Sequence, residues 1–267
     1  MMTATPVYFA PELKGLVTQL SVGDSLSLTE KVTSDFKHLL VARHTANDSI
    51  SLTDGKGFRA EFVIVNVAKS EIVLRLLSAE KLPESRFHIS LVQAMLKNKR
   101  DELAVEMCTE LGVQTFIPWE AEHSIVRLAS AKSSDKLRER WQLKALSAMK
   151  QSRQSYLPKV AQPQSTSGLL EHLQNAAITS PKKPLLVALH NTATKSLTTY
   201  LNENINLEHS SDIYVITGPE GGISESEMKQ FLALGAVPCL LTDTILRSAT
   251  ASVVAVSLCT QTLNAHD

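Results

Sequence analysis

The chain has 267 residues, 43% of them hydrophobic, enough for one large domain or two modest ones with a substantial core. Its 27 basic and 27 acidic residues balance, so no net charge attracts a polyanion and any nucleic-acid binding must come from local patches. No apolar run approaches the roughly 20 residues that span a bilayer. Pro6, Pro11, Glu12 and Lys14 interrupt the start where a secretion signal would be apolar, so the cytoplasm is the expected location. Cys108, Cys239 and Cys259 stand far apart in apolar stretches, the pattern of buried thiols rather than of a disulfide set. Neither they nor the eight histidines fall at metal-ligand spacing, so no metal is expected.

From Val7 to about Leu77 the pattern is mainly strands. Ser25–Leu28, Ser49–Leu52, Arg59–Val67 and Glu71–Leu77 show apolar alternation or β-branched enrichment, and Asp54-Gly55-Lys56-Gly57 reads as a hairpin turn. A short helix over Ser34–Ala42 places Phe36, Leu39 and Leu40 on an inner face. This predicts a small all-β domain with one helix over residues 1–78. Ser78–Phe87, with Pro83 and four charges, is the expected linker.

Beyond it strands alternate with helices, which predicts an α/β layer with a mainly parallel sheet. His88–Ala94 is the first strand. Arg100–Leu111 reads as a helix, with Leu103, Met107 and Leu111 at helical spacing, ended by Gly112. Gln114–Trp119 is a strand. Ser134–Ser152 is an amphipathic helix with Leu137, Trp141, Ala145 and Met149 on one side, capped by Ser133 or Ser134. Gln162–Pro184 is polar, with a short helix about Leu169–Asn175. Leu185–Leu189 and Asp212–Thr217 read as buried strands.

The strongest local signal is Gly218-Pro219-Glu220-Gly221-Gly222, between the strand ending at Thr217 and a helix opening with Ser224, which forms a capping box with Glu227. A glycine-rich loop at a strand's carboxyl end lets a ligand approach backbone groups closely, where open α/β sheets place their sites; a tight turn alone would also use such glycines. Neither G-x-G-x-x-G nor G-x-x-x-x-G-K-[ST] occurs, so a dinucleotide fold and a P-loop are unsupported. A second strand, loop and helix follow at once: Val237–Leu241, Thr242-Asp243-Thr244-Ile245-Leu246-Arg247, and the small-residue helix Ser248–Leu263. That helix is apolar on more than one face and must be buried somewhere.

These motifs resemble the bacterial small-subunit ribosomal RNA uracil-N3 methyltransferases, a family of the knotted SPOUT superfamily, nearly end to end. Gly218 to Gly222 followed by Ser224-Glu-x-Glu227, with Ile245-Leu-Arg-x-x-Thr-Ala251, looks like the family's paired cofactor loops. Lys97, Glu102, Thr109-Glu-Leu-Gly-Val113, Glu122-x-Ser-x-Val-Arg127, Gln151-Ser152 and Pro158 match its middle motifs. His38 with Arg43, and Asp54-Gly-Lys-Gly57, resemble its amino-terminal domain.

The resemblance implies a PUA-like β-barrel RNA-binding domain over residues 1–78 and a trefoil-knotted parallel-sheet domain over 79–267. The implied cofactor is S-adenosyl-L-methionine, held by Leu189, His190, Gly218, Pro219, Glu220, Gly221, Gly222, Leu241, Ile245, Leu246, Arg247 and Thr250. The implied substrate is 16S ribosomal RNA in the small ribosomal subunit, methylated on nitrogen 3 of one uridine, by a homodimer. Arg247 is the candidate catalytic residue, its guanidinium facing the charge that develops on uracil oxygens, although an arginine here also suits an ion pair bracing the loop. Lys97, Lys99 and Arg100, with Arg127 and Arg43, are the candidate RNA contacts; a solvated charged face is the other reading of Lys99. Many family members carry glutamate at the position of Ala249, arginine at that of His123 and arginine near Val7. Two other functions fit the same motifs: a noncatalytic ribosome-assembly factor that keeps the fold, and a ribose 2'-O-methyltransferase.

Overall fold

A computed structural model describes residues 5–42, 44–179, 184–205 and 212–264. The chain divides into two compact units: one runs to Glu84 and takes back Met149–Leu157, and the other holds Ser85–Ala148 and everything from Pro158 onward.

The first unit is a mixed five-stranded sheet of β1 (Val7–Phe9), β2 (Ser25–Leu28), β3 (Ser49–Thr53), β4 (Phe58–Val67) and β5 (Ile72–Lys81), in the order β1-β3-β4-β5-β2. β1 runs parallel to β3 and the other pairings are antiparallel. Alternate residues Ile50, Leu52, Phe62, Ile64, Ile72 and Leu74 are buried, as a sheet with one covered face requires. Two helices pack in this unit, α1 (Leu13–Val17) and α2 (Phe36–Val41), where the sequence predicts one. α1 escapes a periodicity reading because it is five residues long and buries only Leu13 and Val17. The expected linker is also partly strand: Ser78–Lys81 continue β5, pairing with Phe58–Glu61, and all four are exposed. The Asp54–Gly57 turn is a structural device. Asp54 Oδ1 accepts the N–H groups of Lys56 (2.7 Å) and Phe58 (3.0 Å), and a Cβ on Gly57 would lie 2.1 Å from the Tyr156 ring.

The second unit is built on a parallel sheet of β6 (His88–Ala94), β7 (Thr115–Glu120), β8 (Lys159–Val160), β9 (Gln164–Ser165), β10 (Leu185–Leu189), β11 (Asp212–Thr217) and β12 (Val237–Cys239). Its order is β12-β10-β11-β6-β7-β8, with β9 also on β7. β6 and β11 are buried along nearly their whole length and β10 is wholly apolar, as burial on both faces requires. One face packs α5 (Thr166–Thr179) and α7 (Glu225–Ala233), whose Leu169, Leu173 and Phe231 join Val92, Trp119 and Ile216 in one core cluster. The other face carries α8 (Ser248–Asn264), which packs on β6 and β11 beside α3 (Arg100–Glu110) and α6 (Leu197–Asn204).

Local corrections have local causes. The buried face of α3 is Ala104, Val105 and Cys108, and Leu103 is 49% exposed, so the leucine spacing marks the wrong side of that helix. α4 (Ala131–Gln151) starts before the expected serines, because Ser130 and Ser133 exchange backbone-to-hydroxyl bonds at its first turn. α6, absent from the sequence reading, is short and capped by Ser196, whose hydroxyl accepts the N–H of Thr199 at 3.1 Å. All three cysteines are buried and free, as expected.

Candidate active site

β10, β11 and β12 lie side by side and parallel, so the loops leaving Leu189, Thr217 and Cys239 emerge at one edge of the sheet. Backbone bonds from His190 N to Cys239 O (3.0 Å), from Leu197 N to Leu240 O (2.9 Å) and from Leu240 N to Lys195 O (2.9 Å) stitch the first loop to the third. Between the three loops is a cavity of about 590 Å³, a size typical of a small-molecule site.

The glycine-rich loop forms one wall, and its helix is anchored from below. Ser224 and Glu227 form the expected capping box, with Glu227 N to Ser224 Oγ at 3.2 Å and Ser224 N to Glu227 Oε2 at 3.0 Å. Glu227 is 2% exposed, and its other oxygen accepts the Thr166 hydroxyl (2.8 Å) and the Glu122 N–H (2.7 Å). From above, His123 Nδ1 lies 3.1 Å from the Gly221 carbonyl and 3.2 Å from that of Gly222; both oxygens only accept, so Nδ1 carries the proton. A Cβ on Gly221 would stand 2.9 Å from the Cβ of His123, so close an approach that only glycine fits. Glu220 points the other way, and its carboxylate accepts the Lys97 N–H at 3.2 Å.

Thr242 to Arg247 form the facing wall. The Thr242 hydroxyl donates to the Thr244 carbonyl at 2.8 Å, closing a tight turn. Ile245 is 82% exposed at the mouth of the cavity. Arg247 is exposed at the cavity edge, and among the described residues no carboxylate or carbonyl holds its guanidinium. Ala249 turns away from the cavity into a buried cluster with Leu96 and Ala104.

Of the predicted cofactor residues, Leu189, His190, Gly218 to Gly222, Leu241, Ile245, Leu246 and Arg247 line the cavity together. Thr250 does not; on the first turn of α8 it is Ser248 and Ala251 that face inward, while Thr250 is exposed. Thr217, Cys239, Ser248 and Ala251 also line it and were not predicted. The first two are the final residues of strands that lead into the loops, a positional signal the motif reading passed over. Burial pushes the Cys239 thiol up to about 11 and leaves it an apolar wall group rather than a nucleophile.

Lys97 and Lys99 are exposed in a tight turn after β6, with Asn98 and Lys99 in the left-handed region at φ 56° and 57°. Arg100 opens α3. The Lys97–Glu220 bond places this basic turn beside the glycine-rich loop. Arg127 is differently engaged: its guanidinium donates to the carbonyls of Glu122 (2.6 Å) and Ala121 (3.0 Å) and pairs with Glu120 at 3.3 Å, bracing the loop that carries His123. Arg43 lies outside the described residues. Val7 is buried in β1.

A family described as the RNA methyltransferase domain matches residues 83–260. The ribosomal RNA small subunit methyltransferase E of Mycobacterium bovis is 30% identical over 220 residues, covering 82% of this chain and 80% of that protein. The protein of the same name from Bacillus subtilis is 27% identical over 232 residues, covering 86% and 88%. A crystal structure of the ribosomal RNA small subunit methyltransferase E of Neisseria gonorrhoeae, bound to S-adenosyl methionine, aligns with a TM-score of 0.75 at 26% identity over 95% of this chain and 96% of that one. With the match spanning every strand of the parallel sheet and all three cavity loops, the chain belongs to the RNA methyltransferase family and to its ribosomal RNA small subunit methyltransferase E branch.

Proposed function

We propose that this enzyme methylates nitrogen 3 of one uridine in 16S ribosomal RNA of the small subunit, using S-adenosyl-L-methionine. The observation that carries the reading is one cavity that gathers the glycine-rich loop and the Thr242–Arg247 loop, with the exposed Arg247 at its edge. The residues present fit the cofactor. Leu189, Leu241, Ile245 and Leu246 offer apolar surface to an adenine, glycine-rich backbone admits close approach, and the buried Thr217 hydroxyl on the wall has no partner among the described residues.

When bound, the cofactor supplies a methyl group already activated by its sulfonium. The chain orients it and the base, and excludes water from between them. Uracil nitrogen 3 must lose its proton to become nucleophilic, and the Arg247 guanidinium offsets the charge left on the flanking carbonyl oxygens. Lys97, Lys99 and Arg100 hold RNA phosphates next to the glycine-rich loop, while Arg127 positions the His123 loop.

The first unit serves as a PUA-like barrel that binds RNA, in keeping with its mixed sheet and the two register shifts between β4 and β5 that bend the strands. The second is a trefoil knot, an exception to the rule that chains do not thread loops. Its strand order supports this, because β11 inserts between β6 and β10, two strands that precede it in the chain. The enzyme acts as a homodimer in the cytoplasm; Val253, Val254 and Leu258 of α8 remain only half-buried and suit a subunit interface. Mapping modified nucleosides in ribosomal RNA from a strain lacking the protein tests the proposal. Loss of N3-methyluridine is expected. Loss of a ribose methyl, or no loss at all, overturns it.

A further inference from the structure

We propose that Gln93 is a positioning residue that fixes the two cofactor loops relative to each other through a directed chain of hydrogen bonds. The inference rests on the cavity holding S-adenosyl-L-methionine, as argued above. Gln93 is fully buried in β6, paired with Thr217 on one side and Pro118 on the other, so its side chain stands one residue from the start of the glycine-rich loop. It points to the face covered by α8. Its Nε2 donates to the Ala94 carbonyl (2.9 Å) and to the Ser248 hydroxyl (3.1 Å), and its Oε1 accepts from the Ser252 hydroxyl (2.5 Å). Ser248 in turn donates to the Gly218 carbonyl at 2.6 Å.

The direction of this chain is determined by its ends. The Ala94 and Gly218 carbonyls only accept, which orients the amide and gives the Ser248 proton to Gly218. Ser248 therefore has to receive from Gln93. Ser252 also lies 3.2 Å from the Ser248 carbonyl, but the shorter contact is to Gln93. The result ties the first residue of the glycine-rich loop to the first residue of α8, which directly follows Arg247. A glutamate at position 93 would break the sequence of donors while keeping the shape: its carboxylate accepts only, so it draws the Ser248 proton away from Gly218 and faces the Ala94 oxygen. Only the protonated carboxyl could donate again.

Calorimetric titration of S-adenosyl-L-methionine into the full-length parent, Ser248→Ala, Gln93→Met, Gln93→Glu and the Gln93→Met, Ser248→Ala double variant tests this, with circular dichroism confirming folding of each. Ser248→Ala and Gln93→Met should each weaken binding about tenfold, the size of one lost buried hydrogen bond. The double variant should be no weaker than either single one, because all three break the same chain. Gln93→Glu should bind poorly at pH 8 and recover as pH falls toward 5. Parent-like affinity in the single variants, or losses that multiply in the double, overturns the proposal. Ser248→Ala, which removes one oxygen near a helix start, keeps the test readable if a Gln93 variant fails to fold. A parent that binds no cofactor would instead sink the functional reading, and this inference with it.

Discussion

The buried Glu227 carboxylate accepts the backbone N–H of Glu122 at 2.7 Å, and this one bond joins the helix behind the glycine-rich loop to the loop that carries His123. The same carboxylate completes the capping box and takes the Thr166 hydroxyl. Glu227→Ala keeps the Ser224 cap on the Glu227 N–H but removes the reciprocal half of the capping box, leaving the buried Ser224 N–H and the part-buried Thr166 and Glu122 donors without their acceptor. An unsatisfied buried group costs about 1–3 kcal/mol and part-buried donors less, so a loss of roughly 2 kcal/mol is expected. Urea denaturation reads it; a loss below about 1 kcal/mol would mean that water replaces the carboxylate at no cost.

Ala249→Glu places a carboxylate at a position packed against Leu96 and Ala104 and 7% exposed. Acidic residues in the first turn of a helix gain about 0.3–1 kcal/mol from its dipole. An unpaired carboxylate in an apolar cluster costs several times that, so burial wins. The variant should melt at lower temperature without a gain in methyl-transfer rate. A faster enzyme with an unchanged Tm would show that this position is a vacant catalytic one after all.

Arg247→Ala should lower kcat by roughly 10²-fold while cofactor affinity stays within a few fold, because only contacts made in the transition state change turnover selectively. Steady-state kinetics alongside calorimetry separate the two quantities. If the arginine instead braces its loop, affinity falls and turnover at saturation is preserved.

Much of this site is readable from the chain because its signals are local. Glycines needed for close approach, a serine and glutamate three apart, and apolar runs for buried strands all lie within a few residues. Gln93 and Ser248 are 155 positions apart and meet only after the sheet forms, so no window contains them. Thr250 and Ser248 differ by a rotation about α8, and Leu103 against Ala104 by a rotation about α3. Small residues buried next to a leucine give weak periodicity, so helix phase is where pattern reading fails. The return of Met149–Leu157 to the first unit is likewise long-range, carried by the Lys150–Asp35 ion pair at 2.6 Å and by Tyr156, whose hydroxyl donates to the Leu82 carbonyl at 2.7 Å.

Stability should fall at alkaline pH through the buried thiols. Desolvation raises Cys239 from 9.0 to about 11 and Cys259 from 9.0 to about 12. Above pH 9 the unfolded chain releases protons that the folded chain keeps, which favours unfolding increasingly as pH climbs toward those folded values. Urea midpoints measured at pH 7, 9 and 10 should decline, and Cys259→Ala should flatten the decline. A profile identical in that variant would assign the alkaline loss to other groups.

Methyl transfer to the predicted nucleoside is read with purified protein, methyl-labelled S-adenosyl-L-methionine and small ribosomal subunits from a strain lacking the protein, followed by nucleoside mass spectrometry of the 16S RNA. Label is expected in N3-methyluridine, approaching one per subunit, and almost none with Arg247→Ala. Label in a ribose methyl group, or subunits that bind the protein and stay unlabelled, would contradict it.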